Sequence, residues 1–275
     1  MIHWNVSPAL FEIGGFSPRW YGLCFAFGFV VAYWILREKV FRKEAYKIED
    51  LDSLLMHTIL GTVIGARLGH CLFYEPEYYL HYPLKILFIW EGGLASHGGT
   101  AGVLISTYLF MRKHKQYTWA WLVDRMCLVI GFVAGMIRVG NVMNSEIYGK
   151  PTDLPWAFVF ERVDQIPRHP TQLYEALSYF AIFVFIQIYW TRAKHIGKAA
   201  VFGWFFILVF TSRFFLEFTK EAQASFEIGW PIKMGQILSI PFVLAGLYFV
   251  LKSRKLEDTR SLSGHQKKRK NSKKS

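Results

Sequence analysis

The chain has 275 residues, of which 53% are hydrophobic and 18% aromatic, and its mean hydropathy is +0.23. A soluble domain of this length rarely repeats apolar stretches of about 20 residues, the length that crosses a hydrocarbon core, so the composition excludes an ordinary soluble domain and reads as an integral membrane protein. The net charge of +12 does not call for nucleic acid, because 21 of the 32 basic residues fall in alternate stretches, Arg37 to Asp50, Arg112 to Lys115, Arg192 to Lys198 and from Lys252 onward, the positive-inside pattern of a multispanning protein.

Seven spans are expected in chain order: 20–36, 52–73, 88–111, 119–138, 172–191, 199–218 and 233–251. The first has no basic cluster before it and no small-residue cleavage site after it, so it reads as a retained helix and not a signal peptide. With the basic loops in the cytosol, the N-terminus lies outside and the C-terminus inside. The expected fold is an all-α integral membrane protein, a bundle of about seven transmembrane helices. Residues 1–251 would form a single transmembrane catalytic domain, with an ordered extracytoplasmic segment over about 139–171 that contains Pro151, Pro155, Pro167 and Pro170. Residues 252–275, with ten basic and two acidic side chains, read as a disordered cytosolic arm near anionic lipid head groups. Cys24, Cys71 and Cys127 each fall inside an expected span with no pair at metal-ligand spacing, so neither a disulfide framework nor a zinc site is indicated.

Glycines at four-residue spacing, Gly61, Gly65 and Gly69, then Gly98 and Gly102, then Gly131 and Gly135, mark close helix approaches. Gly131, Gly135 and Arg138 share one helix face. Two readings of that face stand: simple close packing, or room for a polar head group beside the cation.

Topology turns the charges within the spans into a candidate site. Arg67, Arg138, Arg213 and His97 fall in the outer parts of their helices, Tyr21 opens the first helix from outside, and Arg168-His-Pro-Thr-Gln-Leu-Tyr-Glu175 leads into the fifth. Arg125, beside Asp124, lies near the cytosolic end and does not join them. Ionisable groups in a membrane usually mark a functional pocket or path. Three arginines at one depth repel one another unless an anion lies among them, and guanidinium matches phosphate through paired hydrogen bonds. The expected ligand is therefore a phospholipid head group, reached sideways from the bilayer. The densest stretch is Gly135 to Gly149, where Asn141, Asn144 and Glu146 follow Arg138. Elsewhere bland readings stand beside the functional one: Arg213 and Glu217, four apart, neutralise each other; Arg67 snorkels or pairs with Glu91; His97 is a hydrogen-bonded core histidine; Arg168, His169 and Glu175 only cap and pin the fifth helix; Tyr21 belongs to an aromatic belt.

These blocks resemble the prolipoprotein diacylglyceryl transferases of bacteria. The resemblance rests on Gly135 to Gly149, which matches Gly-x-x-Arg-x-Gly-Asn-x-x-Asn-x-Glu-x-x-Gly, on Trp20-Tyr21-Gly22, Gly65-Ala-Arg-Leu-Gly69, Trp90-Glu-Gly-Gly with Ser96-His-Gly-Gly99, Arg168 to Glu175, Arg213 with Glu217, and Met234-Gly-Gln-Ile-Leu-Ser-Ile-Pro241. The blocks come in family order and cover residues 19 to 251. Two positions depart: Arg19 stands where many members carry histidine, which excludes a base there, and Val209 where some carry tyrosine.

The resemblance implies an enzyme of the bacterial cytoplasmic (inner) membrane that moves the diacylglyceryl group of phosphatidylglycerol onto the lipobox cysteine of a prolipoprotein signal peptide, releasing glycerol phosphate. It implies no cofactor and no metal. By the same analogy Arg138 and Arg213 hold the phosphate, and Asn141, Asn144 and Glu146 bind the head group or aim Arg138. Tyr21 then lines the pocket with Arg67 nearby, Glu217 orients Arg213, and His97 is the base for the thiol, its ordinary pKa lying near working pH. The competing class is an anion or lipid-precursor transporter, which would call for broken helices at the midplane and an inverted repeat; no repeat relates the two halves. A non-catalytic scaffold leaves the buried arginines as an unexplained cost.

Overall fold

The computed structural model describes residues 1–14, 17–89, 92–221 and 232–260. Helices carry the chain: α1 (Trp20–Leu36), α2 (Ile48–Phe73), the short α3 (Pro76–His81), α4 (Ser96–Lys113), α5 (Trp119–Met143), α6 (Thr171–Arg192), α7 (Ala200–Leu216) and α8 (Met234–Ser253). Among the described residues, six helical stretches are long and apolar enough to cross a membrane: Trp20–Phe41, Ile48–Phe73, Trp119–Met143, Thr171–Arg192, Ala200–Thr219 and Met234–Ser253. Large apolar side chains such as Phe27, Val30, Leu60, Ile64, Leu104 and Leu244 lie exposed along the helices, an arrangement that water penalises and hydrocarbon accepts.

The third expected span, 88–111, is not one helix. Gly92 and Gly93 have φ of 96° and 70°, a left-handed backbone through which a right-handed helix cannot run, and α4 begins only at Ser96. Its glycine-rich start and its closing Arg112 and Lys113 dilute its apolar character, and it is not among the six. The fourth expected span stops short of the real one. Helix α5 continues to Met143, so Arg138 lies inside it and the following connection begins at Asn144.

The fold is mostly helical, in keeping with the all-α expectation, with one small sheet beside the helices. Strand β1 (Ile2–Trp4) pairs in parallel with β2 (Phe158–Phe160), which pairs antiparallel with β3 (Pro167–Arg168). All three residues of β2 are buried, and Trp4 Nε1 donates to the Val142 carbonyl at 3.0 Å, so the chain start is tied to the end of α5. Short apolar strands of this kind have too little periodicity to stand out beside helices of 17 to 26 residues.

The chain packs as two compact units, one whose described part falls within 1–36 and 120–260 and one whose described part falls within 37–119. In the latter, the two glycine series noted above face each other across α2 and α4: a Cβ on Gly98 would stand 2.7 Å from Gly69 Cα, and one on Gly69 would stand 2.7 Å from Gly98 Cα. In the former, Gly203 and Gly246 let α7 and α8 touch in the same way, at 2.8 and 2.7 Å from the facing carbonyl oxygens. The three cysteines are buried free thiols.

The charged pair left out of the candidate site holds the first unit together at one end. Asp124 accepts the backbone N–H of Ala199 at 2.8 Å and of Phe202 at 3.0 Å, serving the unpaired amides at the start of α7. Arg125, 1% exposed, donates to Thr259 Oγ1 and the Thr259 carbonyl at 2.6 Å each, between the rings of Trp121 and Trp190. Arg260 donates to the carbonyls of Trp190, Ala193 and Lys194 at 3.1 to 3.2 Å, where α6 ends. Burial would raise the Asp258 carboxyl, but hydrogen bonds from the Arg260 side chain and amide and from the Ile196 amide hold it at about 2. The basic arm expected to be disordered from Lys252 is therefore ordered as far as Arg260, since a buried guanidinium needs acceptors and the arm supplies them. Residues 261–275 lie outside the described residues.

Candidate active site

At the opposite end of the first unit, the start of α1, the end of α5, the start of α6 and the end of α7 bring their polar residues together. Arg138 and Asn141 are three apart on α5 and therefore neighbours on its surface; Arg138 Nη1 donates to Asn141 Oδ1 at 3.1 Å. Asn141 Nδ2 and Asn144 Nδ2 both donate to Glu146 Oε1, at 2.8 and 3.3 Å. Glu146 is turned back toward the helix by its flanking residues, Ser145 and Ile147, which have φ of 54° and 59°. A β-branched residue in left-handed backbone costs about 1–3 kcal/mol and persists only where surrounding contacts impose it. Here Gln172 Nε2 donates to the Glu146 carbonyl at 2.8 Å, Gly149 N–H to the His169 carbonyl at 2.9 Å, and Lys150 N–H to the Thr219 carbonyl at 2.9 Å. The Tyr21 ring lies on Gly140, where a Cβ would come within 2.9 Å of it, and within the fields of Glu146 and Arg138.

A chain of alternating charges continues from Arg138. Its Nε stands 2.7 Å from Glu175 Oε2; Glu175 Oε1 is 2.7 Å from Lys220 Nζ; and Lys220 Nζ is 3.6 Å from Glu217 Oε2. The side chains of Glu175, Glu217 and Lys220 are 4%, 3% and 9% exposed, so each charge is buried beside its opposite. The Glu217 carboxyl fits against Gly235 at the start of α8, where any Cβ would collide with it. Arg213 is exposed and has no ion pair or hydrogen bond among the described residues. Tyr179 on α6 hydrogen-bonds Arg138 and lies within the electrostatic field of both Arg138 and Arg213. Two guanidinium groups thus share one region, one anchored and the other free to take an anion.

Several expectations change here. Arg213 and Glu217 do not neutralise each other, and Glu217 does not orient Arg213; it pairs with Lys220. The face of Gly131 and Gly135 is no head-group space, because α6 fills it: a Cβ on Gly135 would lie 2.7 Å from Phe180 Cδ1, and one on Gly131 3.1 Å from the Tyr179 carbonyl. Glu175 does more than pin α6. As the last residue of the Arg168 block it reads in sequence as a helix-pinning residue, and Lys220 lies beyond the expected end of its span. Arg168 keeps the structural role, bonded to Asp164 at 2.8 Å and Glu221 at 2.7 Å over the Tyr148 ring. The Arg168 hydrogen bond is the main cause holding the Asp164 carboxyl below its ordinary range. Burial first, then Lys150, lowers the His169 imidazole.

Arg67 and His97 belong to the other unit. Arg67, 3% exposed, donates from Nε to the Ile86 carbonyl at 2.9 Å, from Nη1 to the carbonyls of Gly92 and Gly93, and from Nη2 to those of Lys85 and Phe88. Those acceptors match all five donors of a guanidinium. Arg67 therefore clamps the 85–93 segment and has none left for the phosphate contact expected of it; Glu91, the alternative partner, lies outside the described residues. His97 is exposed in the first turn of α4, its ring stacked on Tyr74 with centroids 5.7 Å apart, and neither ring nitrogen is hydrogen-bonded among the described residues. It is no hydrogen-bonded core histidine.

The family model of prolipoprotein diacylglyceryl transferase matches residues 8–252. The chain is 49% identical over 255 residues to a protein of Tolumonas auensis, covering 93% of this chain and 98% of that one. It is 46% identical to one of Chloroherpeton thalassium, covering 92% and 95%, and 42% identical to one of Porphyromonas gingivalis, covering 95% and 98%. All three relatives are described as phosphatidylglycerol–prolipoprotein diacylglyceryl transferases. With the family match spanning most of the chain, and with Arg138, Asn141, Asn144 and Glu146 gathered at one end of the helices, the chain belongs to the prolipoprotein diacylglyceryl transferase family.

Proposed function

We propose that this protein transfers the diacylglyceryl group of phosphatidylglycerol to the thiol of a lipobox cysteine in a prolipoprotein signal peptide, at the outer face of a bacterial cytoplasmic membrane. In this reaction the cysteine sulfur forms a bond to the glycerol carbon that carries the phosphate, the carbon–oxygen bond to phosphate breaks, and glycerol phosphate leaves with the bonding pair. The thiol proton goes to a base. Products are a thioether and one additional negative charge on the departing phosphate.

The observation that carries this reading is the pair of guanidinium groups. Arg138 is anchored at Nε by Glu175, at Nη1 by Asn141 and by a hydrogen bond to Tyr179, and Arg213 is unpaired among the described residues. Arg138 and Arg213 would hold the phosphate and offset the charge that grows on the leaving group, a field that acts most strongly where water is excluded. Asn141, Asn144 and Glu146 keep Arg138 aimed, and Tyr21 walls the pocket. By the family resemblance His97, whose ring nitrogens carry no hydrogen bond among the described residues, is the candidate base. No metal or other cofactor is required for a displacement of this kind, since the arginines supply the positive charge.

The test uses purified protein in phosphatidylglycerol vesicles with a lipobox peptide. Wild type is expected to release glycerol phosphate in step with peptide modification, Arg138→Ala and Arg213→Ala to lose it by 100-fold or more, and His97→Asn to lower turnover while lipid still binds. Release of glycerol phosphate without a modified peptide would make the protein a lipid hydrolase, and no release at all would overturn the reading.

A further inference from the structure

The buried ion chain assigns a task to two residues beyond those that face the lipid. Glu175 sits in the first turn of α6, 4% exposed, and its two oxygens meet cations from two different elements: Arg138 of α5 at 2.7 Å and Lys220, just past α7, at 2.7 Å. It engages Arg138 at Nε, on the side of the guanidinium away from the tip. A carboxylate at the tip would compete with phosphate for the same donors; one at Nε holds the group by charge from behind, while Asn141 and Tyr179 hold it by hydrogen bonds. Lys220 keeps Glu175 from turning away. It is itself held by Glu217 at 3.6 Å, and its carbonyl accepts a hydrogen bond from Lys233 Nζ.

We propose that Glu175 is the positioning residue that fixes the Arg138 guanidinium for catalysis, with Lys220 as the counter-cation that locks Glu175 in place. This rests on the transferase reading, and it concerns the rate of the chemical step more than the affinity for lipid. With Glu175 removed, Arg138 still carries its charge and still attracts the head group, but it no longer holds one orientation as charge develops on the leaving oxygen. Loss of Glu175 also takes away the carboxylate that Lys220 and Arg138 share, and the added positive charge draws phosphatidylglycerol in more strongly. The expected signature is therefore a fall in kcat with KM for phosphatidylglycerol unchanged or lower. A residue that served only the fold would lower the amount of active enzyme and the melting temperature without separating kcat per folded molecule from wild type.

The experiment is a double-mutant cycle in vesicles, with transfer to a lipobox peptide followed by mass and active protein counted by bound lipid. Glu175→Gln, which keeps shape and removes charge, is expected to lower kcat at least 30-fold while KM does not rise. Glu175→Asp is expected to recover at least a third of the lost activity on a logarithmic scale. Lys220→Met is expected to lower kcat about tenfold, and the double variant to be no worse than Glu175→Gln alone, because the two residues act as one unit. Wild-type kcat in Glu175→Gln with wild-type transfer intact would overturn the positioning role and leave the function standing. Multiplying losses in the double variant would overturn the Lys220 lock. Absence of transfer by wild type would overturn the transferase reading itself.

Discussion

Helix contact in the second unit depends on the absence of side chains at Gly98 and Gly69, and Gly98→Ala tests that dependence. A Cβ at position 98 would stand 2.7 Å from Gly69 Cα, whereas carbon atoms in contact settle at about 3.5–4 Å. The obstacle is backbone and cannot rotate away, so α2 and α4 must part by roughly 1 Å where they now touch. A gap of that size forfeits about a quarter to a half of each dispersion contact across the interface, and overpacking of this kind costs about 3 kcal/mol. For a chain of this size that is a fall of about 6–12 °C in Tm. A thermal melt of the purified protein reads it directly. Gly22→Ala is the control, since a Cβ there meets nothing within 4 Å. A Gly98→Ala protein that melts within 1 °C of the Gly22→Ala protein would refute the backbone-contact account.

Arg67→Lys separates the clamp from a lipid contact: a lysine offers three donors at one point against five carbonyls, so the 85–93 segment is expected to exchange its amides at least tenfold faster, while KM for phosphatidylglycerol stays within twofold. A large rise in KM with unchanged exchange would return Arg67 to the lipid site. At the other end of the first unit, Asp258 has its folded carboxyl near 2, against an ordinary 3.8. A depressed acid stabilises above its unfolded value and loses that contribution as pH falls through the folded one, so Asp258→Asn is expected to cost roughly 2 kcal/mol at pH 6 and progressively less from about pH 4 toward pH 2. Denaturant midpoints at several pH values check this; a cost independent of pH would remove the charge from the explanation.

The membrane character, most of the helices and the Arg138 cluster are legible in the chain because each is local. Apolar length shows as composition, glycine spacing shows as a repeat, and Asn141, Asn144 and Glu146 reach Arg138 from within one stretch of sequence. The third span misled because an apolar run hides two glycines in left-handed backbone, a conformation that residue type permits but does not announce. Glu175, Lys220 and the Arg125 contact with Thr259 stayed hidden for another reason. Arg138 and Glu175 lie 37 positions apart, Glu175 and Lys220 45, and Arg125 and Thr259 134, and a lone charge at a span end reads equally well as a topology signal. Arg67 shows the converse error: its buried charge was visible, but its acceptors are carbonyls, which every residue possesses.

The most direct measurement is the mass of a lipobox peptide after incubation with the purified protein and phosphatidylglycerol of defined acyl chains. The account predicts one added diacylglyceryl group of that composition on the cysteine sulfur, stable to mild base as a thioether, and no addition to the same peptide with cysteine replaced by serine. A peptide of unchanged mass, with the lipid bound and the protein folded, would contradict it.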